Sequence, residues 1–208
     1  FYPAILSPDP SNQILQFFGI KTHYIDSVIL VDPNVLITNH HPFFHTFILG
    51  GCVWLGRLIL NDNFGLFIYS FIQTIILISI LSYTLVYMKK LNTNNYMRLI
   101  TLIIYSLVPV FPLYAMSAVK DVMFSCFVIL YIIFLYDNIR YKTVIDKKKL
   151  LYVIILILLI MLVRNNGIYL VLMSFPFLFI INKTIWKKLL FILLIPLLVY
   201  KSFDGILL

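Results

Sequence analysis

Two long apolar segments constrain the fold of this chain more than any other feature of its sequence. Residues 64–88 and 97–116 each contain the roughly 20 predominantly apolar residues that a helix needs to cross a bilayer. Of the 208 residues, 62% are hydrophobic and only 12% are charged, whereas a soluble domain carries about 25% charged residues. Because so few charges cannot cover a water-facing surface, the sequence predicts an all-α, polytopic membrane protein.

Five further apolar segments follow the same pattern and cover residues 43–60, 122–136, 150–163, 167–181 and 189–200. The first of them contains two glycines and Arg57, so we expect 43–60 to lie on the outer surface as a juxtamembrane helix. The other segments predict about six spanning helices within 64–208, provided that 150–163 and 167–181 cross separately. Residues 1–42 are polar and predict the first extracytoplasmic loop, with one short helix around 11–19. The chain is therefore expected to form a single transmembrane domain.

The distribution of positive charge predicts the topology. Lys and Arg number 16 against eight acidic residues, all of them Asp. Eleven of these cations fall in three loops, at residues 89–98, 140–149 and 183–188, and the positive-inside rule makes those loops cytoplasmic. The net charge of +8 is then explained by membrane orientation, and no nucleic-acid partner is expected. The remaining polar groups would gather at the opposite, outer face.

One candidate for chemistry lies in the first loop. Asp9 stands between Pro8 and Pro10, so its carboxylate would be held on a stiff turn. At a membrane face such a group could act as a general base. The alternative is an ordinary Asp that caps the helix following it.

Three histidines around Pro42 form the second candidate. His40 and His41 precede Pro42, and His45 would share a helix face with His41 if a helix began near the proline. A zinc site needs further ligands, and no Cys or Glu cluster supplies them nearby. The pattern therefore favours a phosphate or sugar contact, with helix capping or interfacial hydrogen bonding as the alternatives.

Charged residues that interrupt apolar sequence are the remaining candidates. Lys120 and Asp121 break a run that is otherwise apolar, and charges at membrane depth cost roughly 2.5–3.5 kcal/mol each. Arg164 and Asn165 precede Gly167 between two apolar segments, and arginine offers phosphate a planar fork of donors. Lysine or arginine snorkelling at an interface is the alternative for both sites.

The order of these short motifs resembles that of the GT-C glycosyltransferase superfamily. The motifs are Tyr2-Pro3, Ser7-Pro8-Asp9, His41-Pro42, Lys120-Asp121 and Arg164-Asn165-Asn166-Gly167. Within the superfamily, the chain is most similar to bacterial dolichyl-phosphate-mannose-protein mannosyltransferase-like proteins, over nearly all of its length. The resemblance implies a fragment that lacks the first transmembrane helix and the C-terminal part. It also implies a His-Pro-Pro-like motif, here His41-Pro42-Phe43 without the second proline.

The resemblance implies inverting transfer of a sugar from a polyprenyl-phosphate donor to a hydroxyl of a lipid or glycan acceptor, at the extracytoplasmic face of the plasma membrane. Asp9 would be the catalytic base. The substrate-binding residues would be His40, His41, Lys120, Asp121, Arg164 and Asn165. Asp121 would orient Lys120 or a polar group of the substrate, or bind a divalent metal. A transporter or flippase of a lipid-linked saccharide is the alternative function, and a structural membrane subunit is a third.

Overall fold

A computed structural model describes residues 2–20, 41–141, 145–181 and 186–207 of the protein. Nine helices account for most of these residues: α1 Pro8–Phe17, α2 Phe43–Ile59, α3 Asp62–Lys90, α4 Asn95–Leu107, α5 Val110–Met116, α6 Lys120–Tyr141, α7 Lys147–Val163, α8 Gly167–Ile181 and α9 Trp186–Leu207. The described part of the chain contains no β-strand, only an isolated bridge between Ile5 and Ser117. The predicted all-α class is confirmed.

Two helices, α3 and α6, are long and apolar enough to cross a membrane. A third crossing results if α4 and α5, which meet at an angle of 51°, are counted as one bent span. Helices α2 and α8 are apolar but shorter. The structure thus supports an integral membrane protein with two or three spans among the described residues, and the count of about six remains a prediction.

The predicted segment 97–116 is a broken helix, and its proline explains the break. Val108 precedes Pro109 and adopts an extended conformation, which is the conformation that a following proline favours. By contrast, 150–163 and 167–181 form two separate helices, α7 and α8, as predicted, with Arg164 in the turn between them.

Contacts between residues that are distant in sequence show that the helices run up and down between two polar ends. Lys90 Nζ lies 3.3 Å from Asp137 Oδ2, and Lys188 Nζ donates to the Ile145 carbonyl at 2.5 Å. The ends of α3 and α6 and the starts of α7 and α9 therefore meet at one end, called here the basic end. The starts of α6 and α8 lie at the other, which we call the site end.

The largest core cluster joins α6, α7, α8 and α9. Helix α7 buries Val153, Leu156, Ile157 and Ile160, and these positions recur at the three- and four-residue intervals of one helix face. Tyr131 of α6 is fully buried in the same cluster. Within a bilayer such helices are held together by close packing, because lipid tails are as apolar as the side chains.

Helices α2 and α3 pack closely against each other next to their short connection. A Cβ atom added at Gly56 would lie 2.2 Å from the Gly65 backbone nitrogen, so the two backbones touch where both residues are glycine. Arg57 and Asp62 form an ion pair across the connection at 2.5 Å. The 17-residue α2 thus packs against the N-terminal part of the 29-residue α3.

The first helix begins earlier than predicted. It starts at Pro8 rather than near residue 11, with Ser7 as its N-cap. Pro8 and Pro10 are both compatible with this first turn, because N–H groups in the first turn of a helix have no intrahelical acceptor and proline, which lacks the N–H, loses no hydrogen bond there. The expectation of a stiff turn at Asp9 is therefore wrong, since Asp9 lies in the first turn of α1.

Candidate functional site

A short backbone pairing brings the N-terminal segment to the start of α6. The Ile5 amide donates to the Met116 carbonyl at 2.9 Å, and the Ala118 amide donates to the Ile5 carbonyl at 3.0 Å. Helix α1 begins three residues after Ile5, and α6 begins two residues after Ala118. Asp9 and Lys120 consequently face each other, although 111 positions separate them in the sequence.

Lys120 stands at the centre of the predicted residues. Its Nζ lies 3.9 Å from Asp9 Oδ2 and 3.4 Å from His41 Nδ1. Since an ammonium group can only donate, His41 Nδ1 is the acceptor in that contact. The Lys120 side chain is 18% exposed, whereas that of Asp9 is 51% exposed. The arrangement places a half-exposed carboxylate beside a largely buried cation.

A second ion pair lies beside the first. Arg164 donates through one terminal guanidinium nitrogen to Asp121 Oδ1 at 2.5 Å, and its guanidinium carbon lies 5.4 Å from the centre of the Phe124 ring. The pair joins α6 to the turn between α7 and α8. The roles predicted for Asp121 did not include a pairing with Arg164, which is the contact that the structure shows. Asn165 follows Arg164 in the same turn and is partly buried.

These groups border a small cavity at the site end. It has a volume of about 140 Å³, and its polar lining includes Asp9, Gln13, Lys120 and Asp121. Pockets for drug-sized molecules measure roughly 300–1,000 Å³, so this cavity has room for only one polar portion of a larger ligand. His41 and Arg164 contact its lining residues from outside.

The geometry does not favour a divalent metal at Asp121, which was one of the roles predicted for this residue. Asp121 already faces Arg164, and Asp9 faces Lys120, so a metal would compete with a cation at each carboxylate. Among the described residues, no group of three or more His, Cys, Asp or Glu side chains is placed to hold a metal ion.

Sequence reasoning did not identify a buried hydrogen-bond chain behind this cavity. His45 Nδ1 lies 2.5 Å from the Gln13 amide oxygen, and His45 Nε2 lies 2.6 Å from the Tyr69 hydroxyl. Tyr69 donates in turn to Gln73 Oε1 at 3.0 Å. All four side chains are at most 1% exposed. The chain therefore joins α1, α2 and α3 through polar groups inside an apolar core.

Gln73 ends this chain on the backbone. Its amide nitrogen donates to the carbonyls of Ser117 at 2.6 Å, Tyr114 at 3.1 Å and Ala115 at 3.3 Å. These carbonyls lie at the C-terminal end of α5, where no following helical N–H group is available to donate to them. Gln73 of α3 thus makes hydrogen bonds to the neighbouring helix α5 inside an apolar core.

His45 is held in its neutral form. Burial, together with the nearby charges of Lys120 and His41, lowers the pKa of the imidazole to about 3. At neutral pH the ring therefore has one donor and one acceptor nitrogen. His45 also does not share a helix face with His41, because α2 begins at Phe43 and His41 lies outside it.

The structure thus brings together Asp9, His41, Lys120, Asp121 and Arg164, and it adds Gln13 and His45 to them. His40 lies outside the described residues. The four-residue spacing of Tyr69 and Gln73 on α3 was the one local signal for the buried chain. Its partners on α1 and α2 are brought in by tertiary packing.

Comparison with known proteins yields one match. Residues 18–206 match the model of a family of unknown function (DUF6020). Neither the curated proteins nor the solved structures give a significant match to the chain.

Proposed function

The chain belongs to the DUF6020 family of unknown function, and we propose that it is an integral-membrane glycosyltransferase of GT-C type. It would transfer a sugar from a polyprenyl-phosphate donor to an acceptor hydroxyl, with inversion. One observation carries the proposal: Asp9, His41, Lys120, Asp121 and Arg164 come from four separate segments and meet at one end of a bundle of apolar helices.

The proposed chemistry assigns the proton to Asp9. The acceptor hydroxyl attacks the anomeric carbon of the donor sugar, and Asp9 takes the hydroxyl proton as general base. The bond to the polyprenyl phosphate breaks, and its electron pair leaves with the phosphate. Asp9 suits this role because its half-exposed carboxylate lines the cavity at the start of α1.

The cations would stabilise the leaving phosphate. Lys120 lies beside Asp9, and within the described part of the chain Arg164 donates one of its five hydrogens to Asp121. Negative charge grows on the phosphate as the bond breaks, and fixed positive groups stabilise that charge most strongly in the transition state. His41 contacts Lys120 at 3.4 Å and would hold its ammonium group in place.

The proposed orientation follows from the distribution of charge. The basic end would face the cytoplasm, because Lys90 and Lys188 lie there. The site end would then lie at the extracytoplasmic face of the plasma membrane, with α2 on the outer surface. A lipid-linked donor explains why a transferase would need a bilayer at all.

Sugar transfer by Asp9→Asn tests the proposal. We expect turnover to fall by roughly 10²–10⁴-fold, the usual contribution of a general base, because the amide cannot take up the proton. The assay follows label from radiolabelled polyprenyl-phosphate hexoses into membrane acceptors, with the full-length protein at matched expression. Asp62→Asn is the control, since Asp62 also lies in the first turn of a helix, is 53% exposed and pairs with a cation.

Two results would contradict the proposal in different ways. Near wild-type transfer by Asp9→Asn would show that Asp9 is not the base. No transfer by the wild-type protein from any polyprenyl-phosphate hexose, together with movement of lipid-linked saccharide across proteoliposomes, would establish the transporter alternative. The gathering of polar groups at one end favours interfacial chemistry, because transporters place such groups near the membrane midplane.

A further inference from the structure

The direction of the buried hydrogen-bond chain can be worked out from its far end. Gln73 places its amide nitrogen among three backbone carbonyls, and only an N–H group can donate to them. Its Oε1 must therefore face Tyr69. It follows that the Tyr69 hydroxyl donates to Gln73 at 3.0 Å and that its proton is not available to His45.

This direction fixes the protonated nitrogen of His45. The Tyr69 hydroxyl lies 2.6 Å from His45 Nε2. Its hydrogen is already donated to Gln73, so its oxygen can only accept from His45 and Nε2 must bear a hydrogen. A neutral imidazole has one N–H, which leaves a lone pair on Nδ1. Burial keeps the ring neutral, since it lowers the pKa of His45 to about 3.

The lone pair on Nδ1 in turn requires a donor from Gln13. The amide of Gln13 lies 2.5 Å from Nδ1, and a half-turn of a planar amide exchanges its oxygen and nitrogen at the same position. With oxygen at that position, two acceptors would face each other unless His45 were doubly protonated. With nitrogen there, all contacts of the chain are satisfied by a neutral ring.

The Gln13 oxygen then becomes available to the cavity. Gln13 is 1% exposed and lines the cavity together with Asp9, and its second amide atom has no hydrogen-bond partner in the described part of the chain. Asp9 and Gln13 are four residues apart on α1, so their side chains are neighbours on one helix face. The cavity wall therefore presents two adjacent acceptors, a carboxylate and an amide carbonyl.

We infer that Gln13 is a substrate-binding residue and that the acceptor substrate is a carbohydrate with hydroxyl groups on neighbouring ring carbons. One hydroxyl would reach Asp9 and the next would donate to Gln13 Oε1. A fatty alcohol presents a single donor and would leave the Gln13 carbonyl unsatisfied, which is costly for a buried group. This inference rests on the proposed function, which it extends from an acceptor hydroxyl to an acceptor class.

The first measurement tests the hydrogen-bond chain without any substrate. In ¹⁵N-histidine-labelled full-length protein in lipid nanodiscs, His45 should be neutral with the proton on Nε2 between pH 5 and pH 8. The signal is assigned by its loss in His45→Gln. A doubly protonated ring, or a proton on Nδ1, would overturn the inferred orientation of Gln13.

The second measurement tests the ligand. Methyl hexopyranosides are titrated into the same protein, with cyclohexanol as the single-hydroxyl comparison, and binding is followed through the His45 ring signals. We expect at least one hexoside to bind, cyclohexanol to bind more weakly, and Gln13→Met to weaken hexoside binding about tenfold, as for loss of one buried hydrogen bond. Gln16→Met is the control, because Gln16 is also buried on α1 but does not line the cavity.

The outcomes separate this inference from the proposed function. If no hexoside binds, or if Gln13→Met binds hexosides as the wild type does, the carbohydrate assignment is wrong. Sugar transfer to an acceptor with one hydroxyl, undiminished in Gln13→Met, would leave the glycosyltransferase proposal standing and refute the acceptor class. Hexoside binding without transfer from any polyprenyl-phosphate donor would refute the transferase and retain the binding site.

Discussion

The contact between the α2 and α3 backbones gives a prediction that does not depend on function. In Gly56→Ala the new Cβ would lie 2.2 Å from the Gly65 nitrogen and 2.3 Å from its Cα, with the Asn61 carbonyl oxygen at 2.8 Å. All three are backbone atoms and cannot rotate away. Ordinary contact begins at 3.4 Å, so the helices must separate locally by more than 1 Å.

The size of the effect is obtained by comparison with Gly51→Ala in the same helix. A Cβ at Gly51 meets nothing within 4 Å, so this variant should gain the helix propensity of alanine, about 0.5–1 kcal/mol. Gly56→Ala has the same propensity gain but adds an overpacking cost of about 1–3 kcal/mol. The difference in unfolding free energy between the two variants isolates that steric cost.

Denaturant unfolding in detergent, followed by circular dichroism at 222 nm, measures the difference. We expect the midpoint to rise or stay level for Gly51→Ala and to fall for Gly56→Ala. Equal stability of the two variants would show that α2 and α3 do not touch at these glycines. The same result would argue against the His45–Tyr69 hydrogen bond, which joins the same two helices.

Three further outcomes are expected. Burial lowers the pKa of His45 to about 3, so as the pH drops below about 6.5 the unfolded state takes up a proton that the folded state does not. The free energy of unfolding should therefore fall by about 1.4 kcal/mol per pH unit below that point. Unfolding titrations of His45→Gln should lack this slope. Lys89→Cys and Asn166→Cys, in a cysteine-free background, should be labelled by impermeant maleimide from opposite sides of sealed vesicles; labelling from one side would refute the orientation. Arg164→Ala should weaken binding of the donor and slow sugar transfer. The free energy of unfolding should change by less than about 1 kcal/mol, because the ion pair of Arg164 with Asp121 is half exposed. An unchanged affinity for the donor would show that Arg164 is not part of the site.

The sequence was sufficient where the signal is local. Apolar length predicted α3 and α6, and the Arg164 turn between two short apolar runs predicted separate α7 and α8. Lys120 and Arg164 stood out because charge is costly inside apolar sequence. The bend at Val108–Pro109 was missed because the run 97–116 has the length of one helix, although proline carried the signal.

The sequence was insufficient where partners come from distant segments. Asp121 had several possible roles, and its choice of Arg164 depends on how the α7–α8 turn packs on α6. His45 is one of four histidines and Tyr69 one of 14 tyrosines, so neither type was distinctive. Gln13 was expected in the short helix of the polar first loop, and only the α1–α2 packing makes it a buried residue.

The length of α3 has a consequence for how the protein would respond to its lipid surroundings. Its 29 residues span about 43 Å at 1.5 Å per residue, whereas the hydrocarbon layer of a bilayer is about 30 Å thick. The N-terminal part of α3 packs against α2 at the site end, so an excess of about 13 Å at that end would raise the cavity above the hydrocarbon layer. Bilayer thickness would therefore set how far the cavity stands from the acyl chains. A reaction on a lipid-anchored phosphate should thus vary in rate with acyl-chain length, through hydrophobic mismatch alone.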